Sequence, residues 1–156
     1  MKKFYYFLLM ALPMFFFASC DDEKNLPDVE VSIQIDGGVR VDGIIYVVQG
    51  ETFSVEAINV ENLEKGKNAL ITSATYSWDY RYVGVSVTPP FGAEFNTENM
   101  ELGEHLLQIE CPLYAVDKSP ANLYMAYKVQ IVESVDDIPA GEATTQFIAD
   151  PGIKES

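Results

Sequence analysis

From Val29 onward apolar and polar residues alternate one by one, Val29, Val31, Ile33 and Ile35 against Glu30, Ser32, Gln34 and Asp36. A period of two puts every second side chain on one face of an extended chain, so this stretch reads as a half-buried strand. Asp36-Gly37-Gly38 and Asp42-Gly43 follow, both built from residues that tolerate positive φ, and each marks a turn. Ile44 to Val48 is a short apolar run and Gln49-Gly50 another turn. In the strand expected over Thr52 to Val60, Phe53 and Val55 share one face but Ile58 and Val60 fall in the opposite phase. A β-bulge near Ala57 would absorb that slip.

The alternation resumes after a polar loop at Asn62 to Asn68. Thr72 to Tyr80 sets Ala74, Tyr76, Trp78 and Tyr80 against Ser73, Thr75, Ser77 and Asp79, and Val83, Val85 and Val87 continue the pattern. Pro89-Pro90-Phe91-Gly92 breaks it, because a proline cannot donate to a strand ladder. Leu102-Gly103 then introduces a strand with His105, Leu107, Ile109, Cys111 and Leu113 in phase, and Met125, Tyr127, Val129 and Ile131 mark the last strong one after a loop at Asp117 to Pro120. About seven strands at short spacing, with no sustained helical period, predict an all-β fold: an antiparallel immunoglobulin-like sandwich over residues 28–134. Residues 135–156, with Pro139, Gly141, Pro151 and Gly152, read as a loose tail carrying at most one added strand near Thr144 to Ile148.

Tyr76-Ser77-Trp78-Asp79-Tyr80, followed by Leu102-Gly103-Glu104-His105 and Val116-Asp117, resembles the polycystic-kidney-disease (PKD) type of immunoglobulin-like domain. In that family an aromatic-Trp-Asp strand precedes a tight turn, and a later glycine-led strand ends at aspartate. Here Arg81-Tyr82-Val83 replaces the family's glycine-rich turn. The resemblance implies the same sandwich.

The chain's first residues carry a different kind of signal. Met1, Lys2 and Lys3 form a positive start, Phe4 to Phe17 is apolar, and the acidic Asp21, Asp22 and Glu23 end the run. A spanning helix needs roughly 20 apolar residues, so this shorter segment, interrupted by Pro13, reads as a signal peptide over 1–19. Phe17-Ala18-Ser19-Cys20 resembles a bacterial lipobox, which implies that Cys20 is lipidated and that residues 20–27 form a tether. The acidic residues behind Cys20 resemble the surface-export signal of Bacteroidetes-type lipoproteins and imply a cell-surface position on the outer membrane. An aspartate directly after the cysteine instead marks inner-membrane retention in enterobacterial lipoproteins, and a periplasm-facing anchor is the other placement. The partner implied in either case is a membrane, held through the lipid.

Ten basic residues against 24 acidic ones give a net charge of −14 over 156 residues, and loss of Lys2 and Lys3 with a leader would leave the remainder more acidic still. Nucleic acid is therefore not an expected partner, whereas neutral glycans and basic protein surfaces are compatible. His105 is the single histidine and lacks neighbours at metal-ligand spacing, so neither zinc nor any other cofactor is expected. A hydrolase using His105 is the least favoured function, since no nucleophile pattern accompanies it. Cys111, in phase with Leu107, Ile109 and Leu113, reads as a buried, inert thiol. The acidic stretches Asp36 to Asp42 and Asp136-Asp137 read as solvated loops, with calcium as the alternative. Tyr80, Tyr82, Phe91, Tyr114 and Tyr124 are either core filling or an aromatic platform for sugar rings. The expected role is a non-enzymatic binding or accessory module of the cell envelope for a glycan or partner protein, the alternative being a structural spacer or fimbrial-type assembly subunit.

Overall fold

The computed structural model describes residues 25–156. The signal peptide, Cys20 and the first part of the tether lie outside the described residues. Twelve strands follow in chain order: β1 (Val29–Asp36), β2 (Val39–Val41), β3 (Ile44–Val48), β4 (Thr52–Asn62), β5 (Ala69–Ile71), β6 (Ala74–Trp78), β7 (Arg81–Ser86), β8 (Ala93–Asn96), β9 (Gly103–Ala115), β10 (Ala121–Val132), β11 (Gln146–Ala149) and β12 (Gly152–Glu155). They form two sheets packed as a sandwich. The small sheet has the order β11-β1-β4-β8, and the large one runs β2-β3-β10-β9-β6-β7 with β12 beside β10 and β5 beside β9. Among the described residues no helix is long and apolar enough to cross a membrane.

The core is the sum of the alternations. Val31, Ile33, Phe53, Val55 and Ile58 of the small sheet meet Tyr76, Leu107, Ile109, Leu113, Leu123 and Val129 of the large one, all buried. The expected slip in β4 is real. Gln34 stands opposite Ala57 and Ile35 opposite Val55, which leaves Glu56 as the extra residue of a bulge. That one residue lets both halves of β4 point their apolar side chains inward. Asp42 (φ 48°) and Gly43 (φ 87°) make the two-residue turn between β2 and β3, as the Asp-Gly pair predicts.

Three features depart from the sequence reading. The segment 135–156 is not loose: after one 3-10 turn at Val135–Asp137 it supplies β11 against β1 and β12 against β10. Phe147 and Ala149 face inward there, with the Phe147 ring edge-on to Tyr127 at 5.4 Å. The domain therefore runs to Glu155 and not to residue 134. Second, the sandwich is mixed, because β3 pairs with β10 in parallel. Third, the valines of β7 do not join the core. Tyr76 faces Gly84 while Ser77 faces Tyr82, so Val83 is bulged, and Val85 lies opposite the outward-facing Thr75. Val83, Val85 and Val87 are all exposed.

The start of the described chain is pinned at one end of the sandwich. The Asn25 side chain donates to the Asp117 carbonyl at 2.7 Å, and the Asn25 carbonyl accepts from Ser119 N–H at 3.0 Å. Lys118 and Lys67 pair with Glu64 at 2.5 and 2.8 Å, joining the two neighbouring loops, and their hydrogen bonds hold the Glu64 carboxyl down at about 2. The β6–β7 turn sits at the far end of β9, on the order of 30 Å away at the rise of an extended chain.

Candidate functional site

The registers of the large sheet place specific side chains on its outer face. In an antiparallel pair, directly opposed residues point the same way. One row across the sheet is therefore Val85, Thr75, Glu110, Tyr124 and Gly152, and the next is Tyr82, Ser77, Gln108 and Ala126. Farther toward the Asn25 end, Leu70 and Tyr114 form another pair on the same face. Small side chains at Thr75, Ser77 and Ala126 leave a shallow groove of about 280 Å³ between the taller Gln108, Glu110 and Tyr124. Three hydroxyl-bearing side chains, Thr75, Ser77 and Tyr124, line it with an amide and a carboxylate.

Of the five aromatics named from the sequence, three share this face. Tyr82 is 66 % exposed, Tyr114 46 % and Tyr124 37 %. The Lys154 ammonium lies over the Tyr124 ring at 5.2 Å from its centroid, a cation–π contact that a stacking ligand would displace. At three strand spacings and one row apart, Tyr82 and Tyr124 are separated by about 16 Å, a span that suits a chain of rings better than one ring. Tyr80 stands apart at the tip of the β6–β7 turn, highly exposed. Phe91 does not join them: it is buried in the core, and its carbonyl accepts the Tyr76 hydroxyl. The sequence signal missed at this site was the polar half of the pattern. Thr75, Ser77, Gln108 and Glu110 mark the face that the alternation turns away from the core.

His105 opens β9 beside the β6–β7 turn. Its Nδ1–H donates to Asp79 Oδ2 at 2.7 Å and its Nε2–H to the Glu101 carbonyl at 2.8 Å, while Leu106 N–H donates to Asp79 Oδ1 at 2.8 Å. Both acceptors favour the doubly protonated ring. Burial pulls the His105 pKa down, but the Asp79 carboxylate and the Glu101 carbonyl outweigh it and leave it raised. Burial likewise pushes Asp79 up, and His105 together with Leu106 N–H brings it below its ordinary value. With both ring nitrogens engaged inside the fold, His105 holds a turn and has no nitrogen free to activate a nucleophile. The Trp78 ring lies beside it, tilted by 38° and 5.7 Å away between centroids.

Cys111 is fully buried, and burial pushes its thiol up to about 12, so the reactive thiolate is suppressed. Asp137 of the acidic stretch accepts from the Ser134 N–H and hydroxyl, at 3.0 and 3.2 Å. Among the described residues no three His, Cys, Asp or Glu side chains gather in a way that could hold a metal ion. No protein family matches the chain, and no curated protein is similar to it.

Proposed function

We propose that this chain is a lipid-anchored, non-enzymatic module of the cell envelope that binds a neutral oligosaccharide across the outer face of its large sheet. The observation that carries the reading is that Tyr124 lines, and Tyr82 stands beside, a groove formed with Thr75, Ser77, Gln108 and Glu110, with Tyr114 farther along the same exposed face. Sugar rings offer an apolar face to stack on aromatic rings and hydroxyls to pair with amides and carboxylates. A net charge of −14 is compatible with a neutral ligand and opposes an anionic one.

The anchor belongs to the same reading. Four residues lie between a lipidated Cys20 and Asn25, a reach of at most about 18 Å of extended chain, so the end of the sandwich bearing Asn25, Glu64 and Asp117 would face the bilayer. The groove would then stand upright above the surface. Growth with an alkyne-tagged fatty acid checks this: label should enter the wild-type chain and vanish in Cys20→Ala, and unlabelled wild-type protein would remove the anchor. For the ligand, a screen of immobilised neutral oligosaccharides followed by calorimetry should find binding that Tyr82→Ala and Tyr124→Ala each weaken about tenfold, the loss of one stacked ring. Wild-type affinity in both variants would sink the platform.

A separate observation favours a second reading, an assembly subunit of the envelope. Strand β7 leaves Tyr82, Val83 and Val85 exposed along an unpaired sheet edge, and Val87 just beyond it continues the stripe.

A further inference from the structure

We infer that β7 is a self-association edge, through which two copies of this chain join their large sheets antiparallel about a two-fold axis near Val85. The inference rests on the assembly reading and is argued without the saccharide platform, of which Tyr82 lies on the same strand but outside the stretch Val83 to Val87. An edge strand turns half of its N–H and C=O groups away from its only neighbour, and these seek a partner strand. Among the described strands the other free edges are short. β8, β11 and β12 have four residues each, and β8 and β12 carry Glu94, Lys154 and Glu155. On the opposite side, Arg40 of β2 exchanges backbone hydrogen bonds with Thr144 at 2.8 and 3.0 Å, while Ile35 N–H donates to Thr145 at 2.8 Å, so that segment links both sheets. β7 has six residues, its apolar stripe continues through Val87, and no segment of the described chain covers it.

Charge selects the occupant. With a net charge of −14, two copies repel one another over most of their surfaces. Between Glu64 and Asp79, and again between Asp79 and Glu94, the sequence has no carboxylate. Asp79 is itself bonded to His105 and Leu106. The β6–β7 hairpin thus contributes no free carboxylate of its own to an approaching copy, and Arg81 is the one charged side chain of the strand. A two-fold at Val85 sets Val83 opposite Val87 of the second copy and brings the two stripes side by side on one face, the self-complementary match an isologous interface requires.

The test is a cross-link at the axis. Directly opposed antiparallel residues lie about 4.5–5.5 Å apart at Cα, within disulfide reach. The full chain carrying Val85→Cys, oxidised in envelope membranes, should run at twice the chain mass on a non-reducing gel, whereas the wild type, with Cys20 and Cys111, and a Val135→Cys control should not. An adduct of any other mass would assign the edge to a foreign strand, overturning self-pairing but keeping the assembly reading; no adduct, or an equal one in the Val135→Cys control, would overturn both. As a check free of new thiols, light scattering on the wild-type chain should give a dimer mass, and Val85→Lys, folded by dichroism, the monomer mass. A monomeric wild type would equally reject the inference.

Discussion

Gly37 shows how little room single positions leave. Its φ is 68°, and a Cβ there would sit 1.8 Å from the Thr52 carbonyl oxygen, a backbone atom that cannot swing aside. Gly37→Ala should therefore fall at the upper end of point-substitution effects, about 3 kcal/mol or more, read as a drop in the urea midpoint. Tyr80 is the opposite case: a bulky residue held at φ 64° on an exposed tip, which costs roughly 1 kcal/mol that glycine avoids. Tyr80→Gly should raise stability by about 0.5–1 kcal/mol, and an unchanged or lower melting temperature would mean that the ring packs on something. His105 and Asp79 at the same turn make stability pH-dependent. The raised pKa of His105 gives stabilisation that is complete below about pH 6.5 and fades as the pH climbs through the raised value. The lowered pKa of Asp79 works in reverse, complete above 3.8 and fading as the pH falls through the lowered value. Asp79 is nearly half exposed, so solvent screening limits the pair to about 1 kcal/mol or less. Wild type should exceed His105→Gln by most between about pH 4 and 6.5 and converge with it in mildly alkaline buffer; a constant difference across that range would contradict the ion pair.

Among the strands, what the sequence disclosed tracks how local the cause is. β1, β6, β9 and β10 are long or sharply alternating, and their inward residues were evident from phase alone; so was the bulge beside Ala57, because an apolar phase change has only one cheap structural remedy. The tail was legible only in part: the added strand expected near Thr144 to Ile148 is β11, while β12 and the firm docking of both went unseen. In β12 only Ile153 is apolar, and in β11 the inward pair Phe147 and Ala149 sits among turn-forming residues, so pairing with distant β1 and β10 decides both strands. The face taken by Val85 was hidden too, since a turn at Asp79-Tyr80 and a bulge at Val83 set the phase of β7. The candidate site was half legible for a related reason. Tyr82, Tyr114 and Tyr124 could be named, but which face each joined depended on register, and Phe91 was masked by the prolines before it, which erase the alternation. Phe147 tests the role of the tail directly. Buried under the Arg40 guanidinium at 4.4 Å and against Tyr127, Phe147→Ala should cost about 3–5 kcal/mol, where a loose tail would tolerate it within about 0.5 kcal/mol.

At the scale of the whole molecule the distribution of charge matters more than its total. Acidic residues crowd the loops and the outer positions of most strands, while the β6–β7 hairpin carries Arg81 and an Asp79 already bonded. A protein built this way repels its own kind at long range and attracts it at one edge through main-chain hydrogen bonds and apolar contact, forces that differ in their response to salt. The Debye length falls from about 30 Å at 0.01 M to about 8 Å at 0.15 M, which removes most repulsion between the acidic bodies and leaves hydrogen bonds and valine contacts almost untouched. Self-association through β7 should therefore strengthen severalfold over that range, measured by sedimentation velocity on wild-type chain at fixed concentration, and Val85→Lys should remain monomeric at both ends of it. An interface held by opposite charges behaves the other way round. Dissociation on adding salt would show that the copies meet through Arg81 and acidic loops, and would move the contact away from the valines of β7.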